Sequence, residues 1–146
     1  MQQAPLVMVV DDNVPFLDVV EVVLQARGYR VACCTGPDEA LAQMEVEKPH
    51  LVIADVMMAG LDSGFSLSKR IKRDPQLSGT PVILVTALTS RRGFDFTPRT
   101  PEELAAMNAD AYLAKPVAPQ TLLGKIEELL ARAGLSLPEP SDTTTQ

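Results

Sequence analysis

The chain has 146 residues, 46% hydrophobic and 22% charged, a balance that fits one globular domain and excludes wholesale disorder. Its 13 basic and 19 acidic side chains give a net charge of −6, which argues against a nonspecific nucleic-acid binder. The apolar runs fall short of the ~18 residues a membrane span needs, and MQQAPLVMVVDD at the N-terminus resembles no signal peptide, so a cytoplasmic protein without membrane attachment is expected.

Leu6–Val10 (LVMVV) is a continuous apolar run that stops at Asp11-Asp12, the pattern of a strand buried on both faces. Asn13 is placed to cap a helix with Pro15 in its first turn; Phe16, Val20, Val23 and Leu24 share one face, and Gly28 ends it. Tyr29–Cys34 reads as a second strand, on which the adjacent Cys33 and Cys34 point to opposite faces and form no disulfide. Gly36-Pro37-Asp38-Glu39 opens a second helix with Leu41 and Met44 inward. After Pro49, Leu51–Ala54 is a third buried strand, ending at Asp55. A loop over Val56–Ser63 leads into a helix over Gly64–Arg73, with Phe65, Leu67 and Ile71 inward. Pro81–Val85 is the fourth strand, ending at Thr86. A long loop carries Gly93 and Pro98, and Pro101–Met107 reads as a short helix. Ala111–Ala114 is the fifth strand, followed by Lys115-Pro116, and Gln120–Arg132 is a final amphipathic helix built on Leu122, Leu123, Ile126, Leu129 and Leu130.

Short apolar strands alternating with amphipathic helices imply an α/β fold, a doubly wound parallel sheet covered on both faces. In such sheets ligands bind beyond the carboxyl ends of the strands, at the topological switch point. With the strand order 2-1-3-4-5, the first and third strands are neighbours there, and Asp11, Asp12 and Asp55 converge. Two unit charges 4 Å apart interact by about 4 kcal/mol at an effective dielectric of 20, so three carboxylates need compensation. Lys115 supplies one positive charge. A hard divalent cation would supply the rest, and all-oxygen donors without His or thiolate favour Mg²⁺ over Zn²⁺. Mg²⁺, a lysine and a hydroxyl together suit phosphoryl transfer.

These residues carry a resemblance. From about Leu6 to Gly134 the sequence resembles the receiver domain of two-component response regulators. The matching positions are Asp11-Asp12 after LVMVV, Asp55 after LVIA, Thr86-Ala87 after PVILV, and Lys115-Pro116 after AYLA. The resemblance implies a flavodoxin-like (βα)5 fold with strand order 2-1-3-4-5. It implies that Asp55 accepts a phosphoryl group from a histidine kinase or phosphotransfer protein, and that Asp11, Asp12, Asp55 and the Met57 backbone carbonyl hold Mg²⁺. Thr86 would donate its hydroxyl to the phosphate, Lys115 would pair with a phosphoryl oxygen, and Pro116 would follow a cis peptide bond. Tyr112 stands where the family carries its switch aromatic, responding to movement of Thr86. The protein is then a signalling switch, not an enzyme with an external substrate, and either its output is a protein–protein contact or the sequence is part of a longer regulator. A phosphorylation-linked dimer stays open.

The domain is expected over residues 1–134, with a flexible Pro-, Ser- and Thr-rich tail over 135–146. The connection from Thr86 to Lys115 exceeds the family's usual length. The excess lies in Ser90–Pro101, which holds Phe94 and Phe96 and reads either as a docking loop or as a surface loop whose rings tuck back. Lys69, Arg70, Lys72 and Arg73 read as a solvated helix face. His50, the single histidine, precedes the third strand, far from the acids. Two other readings remain: a Mg²⁺-dependent phosphohydrolase, which should show D-x-D where this chain has D-D-N, and a receiver-like module that binds partners without phosphorylation.

Overall fold

The computed structural model describes residues 4–56, 63–87, 100, 102 and 109–134. Met57, the tail over 135–146 and the Ser90–Pro101 loop, Thr100 apart, lie outside them. So does the expected helix Pro101–Met107, apart from the helical Glu102.

The elements follow the apolar pattern. In chain order they are β1 (Leu6–Val10), α1 (Val14–Ala26), β2 (Arg30–Cys34), α2 (Pro37–Val46), β3 (Leu51–Asp55), α3 (Ser63–Arg73), β4 (Val82–Ala87), β5 (Ala111–Lys115) and α4 (Pro119–Arg132). The five strands form one parallel sheet in the order β2-β1-β3-β4-β5. Every residue of β1 and β3 is buried, because helices cover both faces of these central strands.

Strand alternation divides the core in two. Val7, Val9, Leu51, Ile53, Ile83 and Val85 face α1 and α4, where Leu17, Leu24, Ile126 and Leu130 meet them. Met8, Val10, Val52, Ala54, Val82 and Leu84 face α2 and α3, against Met44, Leu67 and Ile71. Cys33 and Cys34 are free thiols divided between the two sides, as expected of neighbours on a strand.

Some inner positions differ from expectation. On α1 the buried stripe is Leu17, Val20 and Leu24, while Phe16 and Val23 are half-buried. This helix is apolar on nearly every side, so periodicity leaves its inner face underdetermined. Ala40, not Leu41, is the fully buried partner of Met44 on α2.

The amino end of the sheet is closed by polar contacts. The His50 Nδ1 accepts from the Leu6 N–H at 2.9 Å, and the His50 N–H donates to the Leu6 carbonyl at 2.8 Å. Lys72 departs from the solvated face of its neighbours. Its Nζ donates to the Thr80 carbonyl at 2.7 Å and to Asp110 Oδ2 at 2.8 Å, and that oxygen also accepts from the Val82 N–H.

Candidate functional site

Asp11, Asp55 and Lys115 project from the carboxyl ends of β1, β3 and β5 for one geometric reason. Side chains two residues apart on a strand share a face. Val9, Ile53 and Leu113 lie on the α1/α4 side, and Asp11, Asp55 and Lys115 continue those rows past the apolar layer. Val9 is opposite Ile53 in the register, so Asp11 and Asp55 stand side by side, one strand spacing apart, about 4.8 Å. Asp12 joins them. One carboxylate oxygen from each of Asp11, Asp12 and Asp55 lies within 4.8 Å of the others.

Asp11 is fully buried and Asp55 is 8% exposed, while Asp12 is exposed. The Lys115 ammonium sits among them, 2.8 Å from Asp11 Oδ2 and 3.6 Å from Asp55 Oδ2. Among the described residues, this ammonium is the cation placed against the three carboxylates. The other oxygen of Asp11 accepts from the Asn13 N–H at 2.8 Å. Asn13 caps α1 as expected, its side chain accepting from the Phe16 N–H at 3.1 Å. The Phe16 ring lies under Lys115 Nζ, with its centroid 4.3 Å away.

Thr86 is buried beside this crevice at the end of β4, opposite Ala114 on β5. Alternation turns Thr86 and the half-buried Tyr112 to the same side of the sheet, the α3 side, on adjacent strands. The Lys115–Pro116 peptide bond is cis. Met57 lies outside the described residues.

Two contributors escape a reading by residue type. Phe16 reads as one more apolar helix position, and only the fold brings it to Lys115. Gly64 reads as a helix start. Its N–H donates to the Val56 carbonyl at 3.0 Å, and a Cβ there would strike the Asp55 carbonyl oxygen and lie 2.8 Å from Val56 Cα. The first turn of α3 thus presses directly on the backbone that carries Asp55. The D-x-x-x-x-x-x-x-x-G spacing from Asp55 is the one signal present in the sequence, and it needs the fold to be interpreted.

The donor set fits a hard divalent cation. Among the described residues it offers three carboxylate oxygens against one lysine, and one of its members is exposed enough to leave an approach. Among the described residues no helix is long and apolar enough to cross a membrane.

The sequence and the fold are similar to those of known proteins. The family profile of the response regulator receiver domain matches residues 7–127. Over 128 residues the chain is 30% identical to the phosphate regulon transcriptional regulatory protein PhoB of Pseudomonas aeruginosa, covering 88% of this chain and 52% of that protein. The chain spans about half the length of the curated relatives it matches. Among solved structures, a CheY-like response regulator receiver domain protein from Methanospirillum hungatei JF-1 aligns with a TM-score of 0.74 at 28% identity, covering 90% of this chain and 97% of that one. The chemotaxis response regulator CheY4 of Vibrio cholerae aligns with a TM-score of 0.73 at 28% identity, covering 86% and 98%.

Proposed function

Because the chain belongs to the response regulator receiver domain family of two-component systems, we propose that it is a Mg²⁺-dependent switch phosphorylated on Asp55 by a histidine kinase or phosphotransfer protein. The observation that carries this reading is the convergence of Asp11, Asp12 and Asp55 on one point beside Lys115.

An Asp55 carboxylate oxygen attacks the phosphorus of the donor's phosphohistidine. The new O–P bond forms as the P–N bond breaks, and the electron pair stays on the imidazole nitrogen, which takes up a proton. Carboxylate and phosphoryl oxygens repel, and Lys115, 3.6 Å from Asp55, offsets part of that repulsion. Asp11, Asp12 and Asp55, with the Met57 carbonyl, would hold the Mg²⁺, which when bound neutralises charge on the transferring group. The acyl phosphate is more anionic than the carboxylate it replaces and brings new acceptor oxygens. Thr86 would turn its hydroxyl toward them, and Tyr112, on the same side of the sheet, would follow into the space released.

The donor needs a seat beside Lys115. A groove of about 510 Å³ opens there, lined by Pro15, Phe16, Val19, Lys115, Pro116 and Leu122. Val14, Val19 and Val22 extend its apolar character along α1 at 51%, 60% and 67% exposure, and the charges on this helix are the acids Asp18 and Glu21. A donor helix with an apolar stripe and basic flanks complements that surface. Downstream, the net charge of −6 suits an output through protein contacts and not through direct nucleic-acid binding. A cytoplasmic location belongs to the same reading.

Intact-protein mass spectrometry after incubation with Mg²⁺ and acetyl phosphate tests the proposal. One phosphoryl group on the wild type, absent from Asp55→Asn and absent in EDTA, is the expected result. A label that persists in Asp55→Asn would overturn it, as would turnover of a generic phosphomonoester without self-labelling.

A further inference from the structure

We propose that Phe16 is a positioning residue for phosphoryl transfer, the face of its ring holding the Lys115 ammonium in reach of Asp55. This inference rests on the reading of Asp55 as the phosphoacceptor. It concerns a residue outside the set of acids, hydroxyl and lysine that marks the site.

Four contacts form a closed circuit. Lys115 Nζ bonds Asp11 Oδ2 at 2.8 Å, Asp11 Oδ1 accepts from the Asn13 N–H at 2.8 Å, the Asn13 side chain accepts from the Phe16 N–H at 3.1 Å, and the Phe16 ring returns to Lys115 Nζ at 4.3 Å. The buried carboxylate of Asp11 thus sets two things together: the lysine's position and, through the helix cap, the ring beneath it.

The lysine needs such a support. Its stem has four rotatable bonds, and its ammonium is drawn unequally toward Asp11 at 2.8 Å and Asp55 at 3.6 Å. On the other side lies the groove, where water competes for it. The ring screens the ammonium from that water and offers the negative face of its quadrupole in return. An aliphatic side chain of similar size would screen equally well and return nothing.

The ring also suits a lysine that must move. Attraction to a ring face varies gently with lateral position, whereas a hydrogen bond is steeply directional. The ammonium can slide from Asp11 toward the new phosphoryl oxygens without losing contact with Phe16. A hydrogen-bond acceptor in place of the ring would pin it instead.

Wild type, Phe16→Leu and Phe16→Tyr separate this role from packing. The rate of phosphoryl uptake from acetyl phosphate, in which the Asp55 O–P bond forms as the acetyl O–P bond breaks and acetate leaves, would be measured for each. Phe16→Leu should be slower by about three- to tenfold, the range expected of a partly desolvated cation–π contact. Phe16→Tyr should stay near wild type. The Mg²⁺ concentration for half-maximal rate should be unchanged in all three. In NMR spectra of the unphosphorylated protein, ring currents should shift the Lys115 ε-methylene protons upfield in wild type and Phe16→Tyr but not in Phe16→Leu. Equal rates for Phe16→Leu and a labelled wild type would overturn the inference alone, and so would a Phe16→Tyr protein as slow as Phe16→Leu. An unlabelled wild type would overturn the Asp55 reading, and this inference with it.

Discussion

At each end of the sheet a lysine meets an aspartate at 2.8 Å, and the two pairs are completed differently. At the amino end, Lys72 also donates to the Thr80 carbonyl, and Asp110 also accepts from the Val82 N–H. Among the described residues one cation meets one anion there, joined by backbone groups at the entry to β4. At the carboxyl end, Lys115 serves Asp11 and stands 3.6 Å from Asp55, so that among the described residues one lysine is placed against three carboxylates. A charge-balanced network ties elements together. A network with residual charge stores repulsion that a cation or a phosphoryl group can relieve or exploit. The same residue pair therefore serves architecture at one end and chemistry at the other.

Removing each lysine breaks the comparison most sharply. Lys115→Met leaves the fully buried Asp11 without its cation, which should cost about 3 kcal/mol in EDTA. Lys72→Met affects a pair whose members are 21% and 36% exposed, and about 1 kcal/mol is expected. Mg²⁺ should recover much of the first loss and none of the second. Thermal unfolding of both variants with Mg²⁺ and with EDTA checks this, and an equal response to the metal would dissolve the distinction between the two ends.

Gly64→Ala comes next. Its Cβ would meet the Asp55 carbonyl and Val56 Cα, and these are backbone atoms that cannot rotate away. A cost of about 2 kcal/mol is expected, in the range of overpacked sites, together with slower labelling of Asp55. Gly124→Ala is the control, because a Cβ there meets no atom within 4 Å. A Gly64→Ala protein that melts and labels like wild type would show that the first turn of α3 does not brace Asp55.

Metal binding sharpens the comparison at smaller amplitude. At ten times its dissociation constant, Mg²⁺ should stabilise the wild type by about 1.4 kcal/mol. Asp12→Asn removes one of three crowded carboxylates. It should raise the melting temperature in EDTA and blunt the response to Mg²⁺. A variant less stable than wild type in EDTA would mean that the three acids do not repel in the apo protein.

How much of this was legible in the sequence follows from which interactions are local. The strands were legible because burial on both faces writes itself as continuous apolar runs such as LVMVV and LVIA. The acids and Lys115 were legible because they interrupt those runs at the end where a parallel sheet binds ligands. The Asn13 cap was legible because its partner is three residues away. Contacts between elements were not. The Lys72 network depends on Asp110 and Thr80, which only the β4–β5 pairing brings near, so Lys72 read like its solvated neighbours. Phe16 beneath Lys115 and Gly64 against Asp55 are close approaches between segments whose distance no periodicity encodes. The inner face of α1 was ambiguous for a different reason: a helix apolar on nearly every side offers several stripes, and packing selects Leu17, Val20 and Leu24.

The smallest effect concerns β2, the edge strand nearest neither lysine. Burial pushes the Cys34 thiol from 9.0 to about 11, with Glu39 and Cys33 adding to the rise. Burial likewise pushes the Tyr29 hydroxyl, just before β2, from 10.0 to about 12, with Glu127 adding and Arg27 opposing. Both groups are neutral when protonated, so the folded state holds its protons where the unfolded state has lost them. The stability they contribute is therefore fully present below about pH 9 and is lost as pH rises through about 11 for Cys34 and 12 for Tyr29. Circular dichroism in urea at stepped alkaline pH should show a midpoint that falls across this window. Cys34→Ala should flatten its lower part, because the thiol that must stay protonated is gone. A midpoint in Cys34→Ala that falls as steeply as in wild type between pH 9 and 11 would place the alkaline sensitivity elsewhere. Cys33 would then be the group to examine, because burial pushes its thiol from 9.0 to about 11 as well, with Glu21 and Asp18 adding to the rise, and a Cys33→Ala variant that flattens the same window would assign the sensitivity to it.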